Sequence, residues 1–448
     1  MSRLTARLFG DPDVDRALSD DARLQAMLDV EVALADAAGD IGLVPGEALP
    51  AIRRAGDASL YDRAALAEEA AKAGNLAIPL VRAMTDEVRK TDADAARFVH
   101  VGATSQDIID TGLVLQLRKA VPAISAQLDR AASAAAGHAR VHVETPMIGR
   151  TWMQQAVPIT FGLKAAGWLD ALRRVKARLD ADLGTACVLQ FGGAAGTLAS
   201  LGADGTDVAR VLGYRLGLPV PDLPWHAHRD RLVALGTTLG LVAGSLGKIA
   251  RDLALMGQTE LGEAYEAPVA GRGGSSTMPH KRNPVSASIA LQAAMRAPGL
   301  VATLIGAMGQ EHERGLGGWQ AEWETLPELV HIVGGAARSI ADALSNLVVD
   351  RDSMLANLNV TGGLVLAEAV SATLGSRLGK ARAHELIEGA CRKSIAERRP
   401  LVSVLAEEPE ITRYLSPEEI EVLMMPDSYL GSSVEFVERV LAKENGNG

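Results

Sequence analysis

Between Leu232 and Met256 the apolar residues Leu232, Leu235, Leu239, Val242, Leu246, Ile249, Leu253 and Met256 recur in alternating steps of three and four. That spacing lines them along one seam of an α-helix. Glycine and alanine fill much of the space between them, from Gly236 and Gly240 to Gly247 and Ala250. Small side chains let neighbouring helix backbones come close, so this helix belongs inside a bundle or at a subunit interface. A bilayer is the other apolar solvent to consider, and a helix needs about 20 apolar residues to cross one. The uncharged stretch Leu183–Ala203 is broken by Gln190, Gly192, Gly193, Gly196, Thr197 and Ser200, and Leu232–Gly247 is short and closed by Lys248. Both therefore read as buried soluble segments, with no membrane involved.

Similar helical patterns cover Leu24–Ala38, Ile108–Ala136, Pro158–Asp180, Val285–Met308 and Pro327–Leu347, and no run alternates with the period of a strand. Aromatic residues make up only 3% of the chain, which suits Ala- and Leu-rich helix better than sheet. The expected fold is mainly α. At 448 residues the length allows about three domains. Breaks in the pattern place them at residues 1–110, 111–351 and 352–448, the middle one a bundle of long helices. The last contains helical patterns at Leu364–Leu378, Ala381–Glu397 and Pro417–Met425, and Glu444-Asn-Gly-Asn-Gly448 reads as a frayed end.

Hydrophobic residues at 48% and charged residues at 22% exclude a disordered or low-complexity chain. A net charge of −10 argues against capture of nucleic acid or anionic membrane, so an anionic substrate needs a locally positive site. Cys187 and Cys391 lie far apart without metal-ligand spacing and read as free thiols in a reducing compartment. The N-terminus runs into Asp11-Pro-Asp without an apolar signal region, so the expected location is cytoplasmic.

Chemistry concentrates in a few segments. Ala267 to Pro284 holds glycines and paired serines that by composition suit a linker, but Met278-Pro, Lys281 and Asn283-Pro do not. It lacks the spacing of a phosphate-binding Walker loop. A glycine-rich loop can aim backbone N–H groups at a serine oxygen or a carboxylate, and Lys281 would favour a serine alkoxide and a developing enediolate. In Val99-His-Val-Gly-Ala-Thr-Ser-Gln-Asp-Ile-Ile-Asp110, Thr104, Ser105 and Asp107 stand where a helix starts. They serve either as simple caps or, with His100, as a site for a substrate carboxylate. Gly149–Pro158, Trp225-His-Ala-His-Arg-Asp-Arg231 and Glu311-His-Glu-Arg314 are weaker signals, since residues such as Arg229 and Arg314 are commonly solvated or salt-bridged. His226 and His228 lack a third ligand at a suitable offset, so no metal is expected.

Gly274-Ser-Ser-Thr-Met-Pro-His-Lys-Arg-Asn-Pro284, together with Thr104-Ser-Gln-Asp107 and Gly149-Arg-Thr-x-x-Gln-x-Ala-x-Pro158, resembles the fumarase/aspartase/argininosuccinate lyase superfamily. The resemblance implies a homotetramer with a twenty-helix core, each active site being built from three subunits. It implies that Ser275 acts at the carbon next to a carboxylate, which Lys281, Asn283, Thr104 and Ser105 would bind. The departures carry as much information. Where the superfamily's lyases have a histidine and a glutamate that handle the proton of the leaving group, this chain has Trp152 and Ser288, and Asn75 replaces a further histidine. An amine or hydroxide leaves poorly without a proton, whereas a carboxylate, with a pKa of about 4, leaves or attacks as the free anion.

The chain accordingly resembles the superfamily's cycloisomerases, in which a carboxylate of the substrate adds across a double bond without a cofactor. Gly-Arg-Thr-Trp152, Leu189-Gln-Phe-Gly-Gly193, Pro224-Trp-His226 and the segment His312 to Pro327 carry that resemblance. It implies a small tricarboxylate diene as substrate, with His100, Thr151, Trp152, Gln154, His226, Arg229 and Arg314 lining the site. Trp152 would be a wall of the pocket, although a tryptophan more commonly fills a core. The competing readings are an adenylosuccinate- or argininosuccinate-type lyase and a non-catalytic structural homologue, as lens crystallins are. Against the first, Gly317 and Trp323 stand where adenylosuccinate lyases have serine and arginine. Replacing Ser275 by Ala should abolish turnover and leave the assembly intact; substantial residual activity would remove the serine from this role.

Overall fold

The computed structural model describes residues 3–267, 273, 274, 278 and 281–443, with the backbone alone for Arg3 and Leu4. These residues are mainly helical, as expected. The long helices are α1 (Asp20–Ile41), α2 (Ser105–Val141), α3 (Phe161–Ala186), α4 (Asp230–Met256), α5 (Val285–Gly306) and α6 (Gly318–Ser345). Each contains most of an expected stretch. Helix α6 differs most, because it starts well before Pro327 and carries that proline in its interior. The described residues form two compact units, one from those within 3–128, 174–247 and 289–339, the other from those within 129–173, 248–288 and 340–443.

In the first unit α1 begins at a Ser19 cap, whose hydroxyl accepts from the Ala22 N–H at 3.2 Å, and ends at Gly42 in the left-handed conformation. The seam expected on α4 is buried at every one of its eight positions, from Leu232 to Met256. The small residues beside it bring α5 close. A Cβ on Gly236 would stand 2.5 Å from a methyl of Leu304, one on Gly240 2.8 Å from Val301, and one on Gly247 2.5 Å from Ala294.

By length and composition alone α4 and α5 would each suffice to cross a bilayer. The expectation that the Leu232–Gly247 stretch is too short is therefore corrected. Lys248 ends only the uncharged run: it pairs with Asp252 one turn on, and α4 continues to Met256, 27 residues in all, as the seam predicts. Within the protein, 61% of the most apolar window of α4 is buried, against 28% for α5.

The second unit overturns the expectation of a chain without strands. Strands β1 (Pro146–Thr151) and β2 (Gln154–Thr160) form an antiparallel hairpin in which Thr151 faces Gln154. Its two turn residues, Trp152 and Met153, both have positive φ, 52° and 64°. Tight hairpin turns need that conformation and usually place Asn or Gly there, so the turn carried no recognisable signature. The hairpin also explains why α3 starts at Phe161 rather than at Pro158. A second short pair joins β3 (Ala264–Glu266) to β4 (Leu347–Val349). Towards the C-terminus, helices at Ala367–Leu378, Lys380–Glu397, Leu401–Glu407 and Pro417–Leu423 enclose a small core that includes Leu374, Ile387, Val404 and Ile420.

Substituting Gly236 by Val would force two methyl groups into the space held by Leu304 and should cost about 1–3 kcal/mol of stability. Urea unfolding measures it, and an unchanged midpoint would contradict so close a helix contact.

Candidate active site

In the first unit, four of the expected segments converge on the start of α2. Asp107, in its first turn, is buried and accepts four hydrogen bonds: from the Thr104 N–H at 3.0 Å, the Gly192 N–H at 3.0 Å, the Gly193 N–H at 2.9 Å and Gln190 Nε2 at 3.0 Å. Burial nevertheless pushes its carboxyl up to about 6. One turn further, the Thr111 hydroxyl donates to the Gln190 carbonyl at 2.8 Å. The Gln190 side chain accepts from the Trp225 N–H at 2.7 Å, and the Trp225 indole donates to the Leu189 carbonyl at 3.1 Å. The segments 189–193 and 224–226 are thus tied to one helix terminus.

Arg314 reaches the same place. Its guanidinium donates to the Thr104 hydroxyl at 3.0 Å and to the Gly193 and Ala194 carbonyls at 3.3 and 2.9 Å. Thr104 therefore spends its hydroxyl on Arg314 rather than on capping α2. Among the described residues no acceptor meets the N–H groups of Ser105 and Gln106. An uncapped helix start beside an arginine is a ready site for a carboxylate.

Arg229 has other partners. It is fully buried and donates to Asp110 at 2.6 and 3.1 Å and to Glu322 at 2.5 to 3.1 Å, both carboxylates being buried as well. Its guanidinium lies over the Trp225 ring, 4.8 Å from the centroid. Asp110 also accepts from the Trp319 indole at 3.0 Å and from Gln106 Nε2 at 3.1 Å, and Trp319 packs edge-on against Trp323. His226 is buried close to Gly196, where a Cβ would stand 2.6 Å from the ring. Burial, and then the charge of Arg314, hold its imidazole below the ordinary value. A lowered value favours the neutral ring at neutral pH. His100 has φ 64°, and its Nδ1 lies 2.7 Å from Glu31 on α1.

In the second unit Arg150 makes a two-pronged ion pair with the fully buried Glu263, at 2.7 and 2.8 Å. Asn357 donates to the same carboxylate at 2.9 Å, and Gln155 donates to the Asn357 carbonyl at 2.9 Å. This network holds the hairpin, which leaves Thr151, Trp152, Met153 and Gln154 exposed at its tip. Trp152 is 97% exposed in this chain and fills no core. Lys281 and Asn283 line an open cleft with Gln258, Tyr265 and Asp350. Asn283 donates to the Gly273 carbonyl at 3.1 Å. The N-terminus of α5, by contrast, is occupied, since Glu266 accepts from the Ser286 and Ala287 N–H groups at 3.1 and 3.0 Å. The Ser288 hydroxyl is turned back onto the Val285 carbonyl at 2.8 Å. Ser275 lies outside the described residues.

Glu31 and Glu263 lie outside the segments singled out in the sequence, since nothing local distinguishes a buried acid from a solvated one, while Asp110 and Glu322 stand inside such segments with no role assigned to them. The spacing of Asp107 and Asp110, three apart in the first turns of α2, was the one available signal. Replacing Asp110 by Ala leaves Arg229 half-paired and buried and should cost about 3–5 kcal/mol. Chemical unfolding tests this, and a loss below about 1 kcal/mol, the range of an exposed pair, would show that the pair is not the buried one described.

The first of two family models that match, described as lyase, covers residues 12–299, and the second, described as adenylosuccinate lyase C-terminus, covers 363–440. The 3-carboxy-cis,cis-muconate cycloisomerase of Pseudomonas aeruginosa is 53% identical over 430 residues, 96% of this chain and 94% of that protein. The nitrosuccinate lyase of Streptomyces davaonensis is 43% identical over 436 residues, 96% of this chain and 92% of that protein. The crystal structure of the 3-carboxy-cis,cis-muconate lactonizing enzyme from Pseudomonas putida superposes with a TM-score of 0.94 at 48% identity, covering 99% of both chains. With relatives this similar along nearly its whole length, the chain belongs to the lyase superfamily that its serine loop resembles, that of fumarase, aspartase and argininosuccinate lyase.

Proposed function

We propose that this protein is a 3-carboxy-cis,cis-muconate cycloisomerase, closing the tricarboxylate diene to 4-carboxymuconolactone in the protocatechuate branch of the β-ketoadipate pathway. The observation that carries this reading is the chemistry at the leaving-group positions. Trp152 offers no titratable group, and the Ser288 hydroxyl is spent on its own helix. A site without an acid there suits a nucleophile and leaving group that is already an anion.

In the reaction, one substrate carboxylate forms a C–O bond at the carbon β to another carboxylate, and charge builds on the latter as an enediolate. Lys281 and Asn283 stabilise that charge, and Ser275 delivers a proton to the α carbon and regains one from solvent, so the trianion takes up one proton as it closes to a dianionic lactone. The open N–H groups of Ser105 and Gln106, with Thr104, Arg314 and His100, anchor a further carboxylate. Thr151, Trp152 and Gln154 at the hairpin tip, with His226, shape the pocket. Arg229, saturated by Asp110 and Glu322, braces the start of α2 through Asp110 and does not meet substrate. No cofactor takes part.

The protein works as a cytoplasmic homotetramer with composite sites from three subunits, each chain having the three parts 1–110, 111–351 and 352–448. Two features support the assembly. Helix α5 is apolar yet largely uncovered, with Met295 70% exposed, and the hairpin tip presents Trp152 to solvent. Apolar surface of that extent is usually an interface.

Closing the ring breaks the diene conjugation, so the ultraviolet absorbance of 3-carboxy-cis,cis-muconate should fall when enzyme is added. Fumarate released from adenylosuccinate or argininosuccinate would favour a lyase instead, and silence with every substrate a structural protein.

A further inference from the structure

Glu31 sits in the middle of α1, outside every segment that the chemistry singled out. Its side chain is wholly buried; Oε1 meets His100 Nδ1 at 2.7 Å, and Oε2 has no hydrogen-bond partner among the described residues. Burying a carboxylate with one oxygen unmet is unfavourable unless a cation lies against the other. His100, for its part, holds a left-handed φ of 64°, which residues other than glycine seldom adopt. Two unfavourable features thus meet in one contact, four residues before Thr104 at the start of α2. With Nδ1 engaged by Glu31, Nε2 is the nitrogen left for another partner, and the ring side chain is 21% exposed.

We infer that Glu31 is a positioning residue, holding His100 as a cation whose Nε2–H donates to the substrate carboxylate anchored at the start of α2. This rests on the lactonisation proposed above, whose trianionic substrate needs cations in a chain of net charge −10. The charged groups facing the ring are Glu31 from α1 and Asp107 from α2. Burial alone would lower the affinity of His100 for its proton, but Glu31, and then Asp107, raise it above the ordinary value. The sign follows directly. Substrate binding is supported while His100 is charged and is lost as pH rises through its pKa. Removing the Glu31 charge moves that loss to lower pH.

The experiment compares the full-length wild type with E31Q, H100Q and the double variant, following 3-carboxy-cis,cis-muconate by absorbance between about pH 6 and 9. E31Q should raise KM about tenfold near pH 8 with kcat changed far less, and shift the alkaline limb of kcat/KM down by about one pH unit. The double variant should behave like H100Q alone, since Glu31 acts through His100. An unmoved alkaline limb in E31Q, or effects that multiply in the double variant, would overturn the inference while wild-type turnover leaves the proposed function standing. A wild type silent on this substrate overturns both. Should E31Q not fold, H100Q must itself lose the alkaline limb, and its retention there overturns the inference.

Discussion

A carboxylate taken out of water has to find donors, and two of them, Asp107 and Asp110, are buried within the first two turns of α2. Asp107 collects N–H groups from Thr104 and from the loop at Gln190–Gly193, while Asp110 collects Arg229, Trp319 and Gln106. Segments as far apart as Asp110 and Trp319, 209 residues along the chain, are held in place by these requirements. Each bond is modest by itself, but leaving any one unmade in a buried setting is costly. The loops therefore have little freedom to rearrange independently of the helix.

The same arrangement decides which helix start stays open. At α5 the chain fills the terminus with its own Glu266. At α2 the side chains that would cap are drawn elsewhere, Thr104 to Arg314 and Asp107 to the glycine loop, and among the described residues the N–H groups of Ser105 and Gln106 meet no acceptor. Arginines of the same segments differ in a comparable way. Arg229 is neutralised by two buried carboxylates, whereas among the described residues Arg314 meets a hydroxyl and carbonyls and no carboxylate. Identical side chains thus serve as a structural brace in one case and as a candidate anion receptor in the other.

Much of this was legible beforehand. The α4 seam could be read residue by residue because a helical period is a local property, and the segments at 104–107, 149–158 and 274–284 could be recognised because their chemistry demands particular side chains in fixed order. The hairpin was missed for a physical reason. Its strands do not alternate cleanly, and its turn places Trp152 and Met153 in a backbone state that composition assigns to Asn and Gly.

What the sequence determined by itself was the helical class, the buried seam and the family, set by local periodicity and by motifs of fixed residue order. What only the tertiary structure decided was the state of each charged group. Glu31, Glu263 and Glu322 read as ordinary solvated acids until the fold buries them against His100, Arg150 and Arg229. Burial and pairing depend on contacts between distant segments, and no local pattern encodes which acid will lose its water.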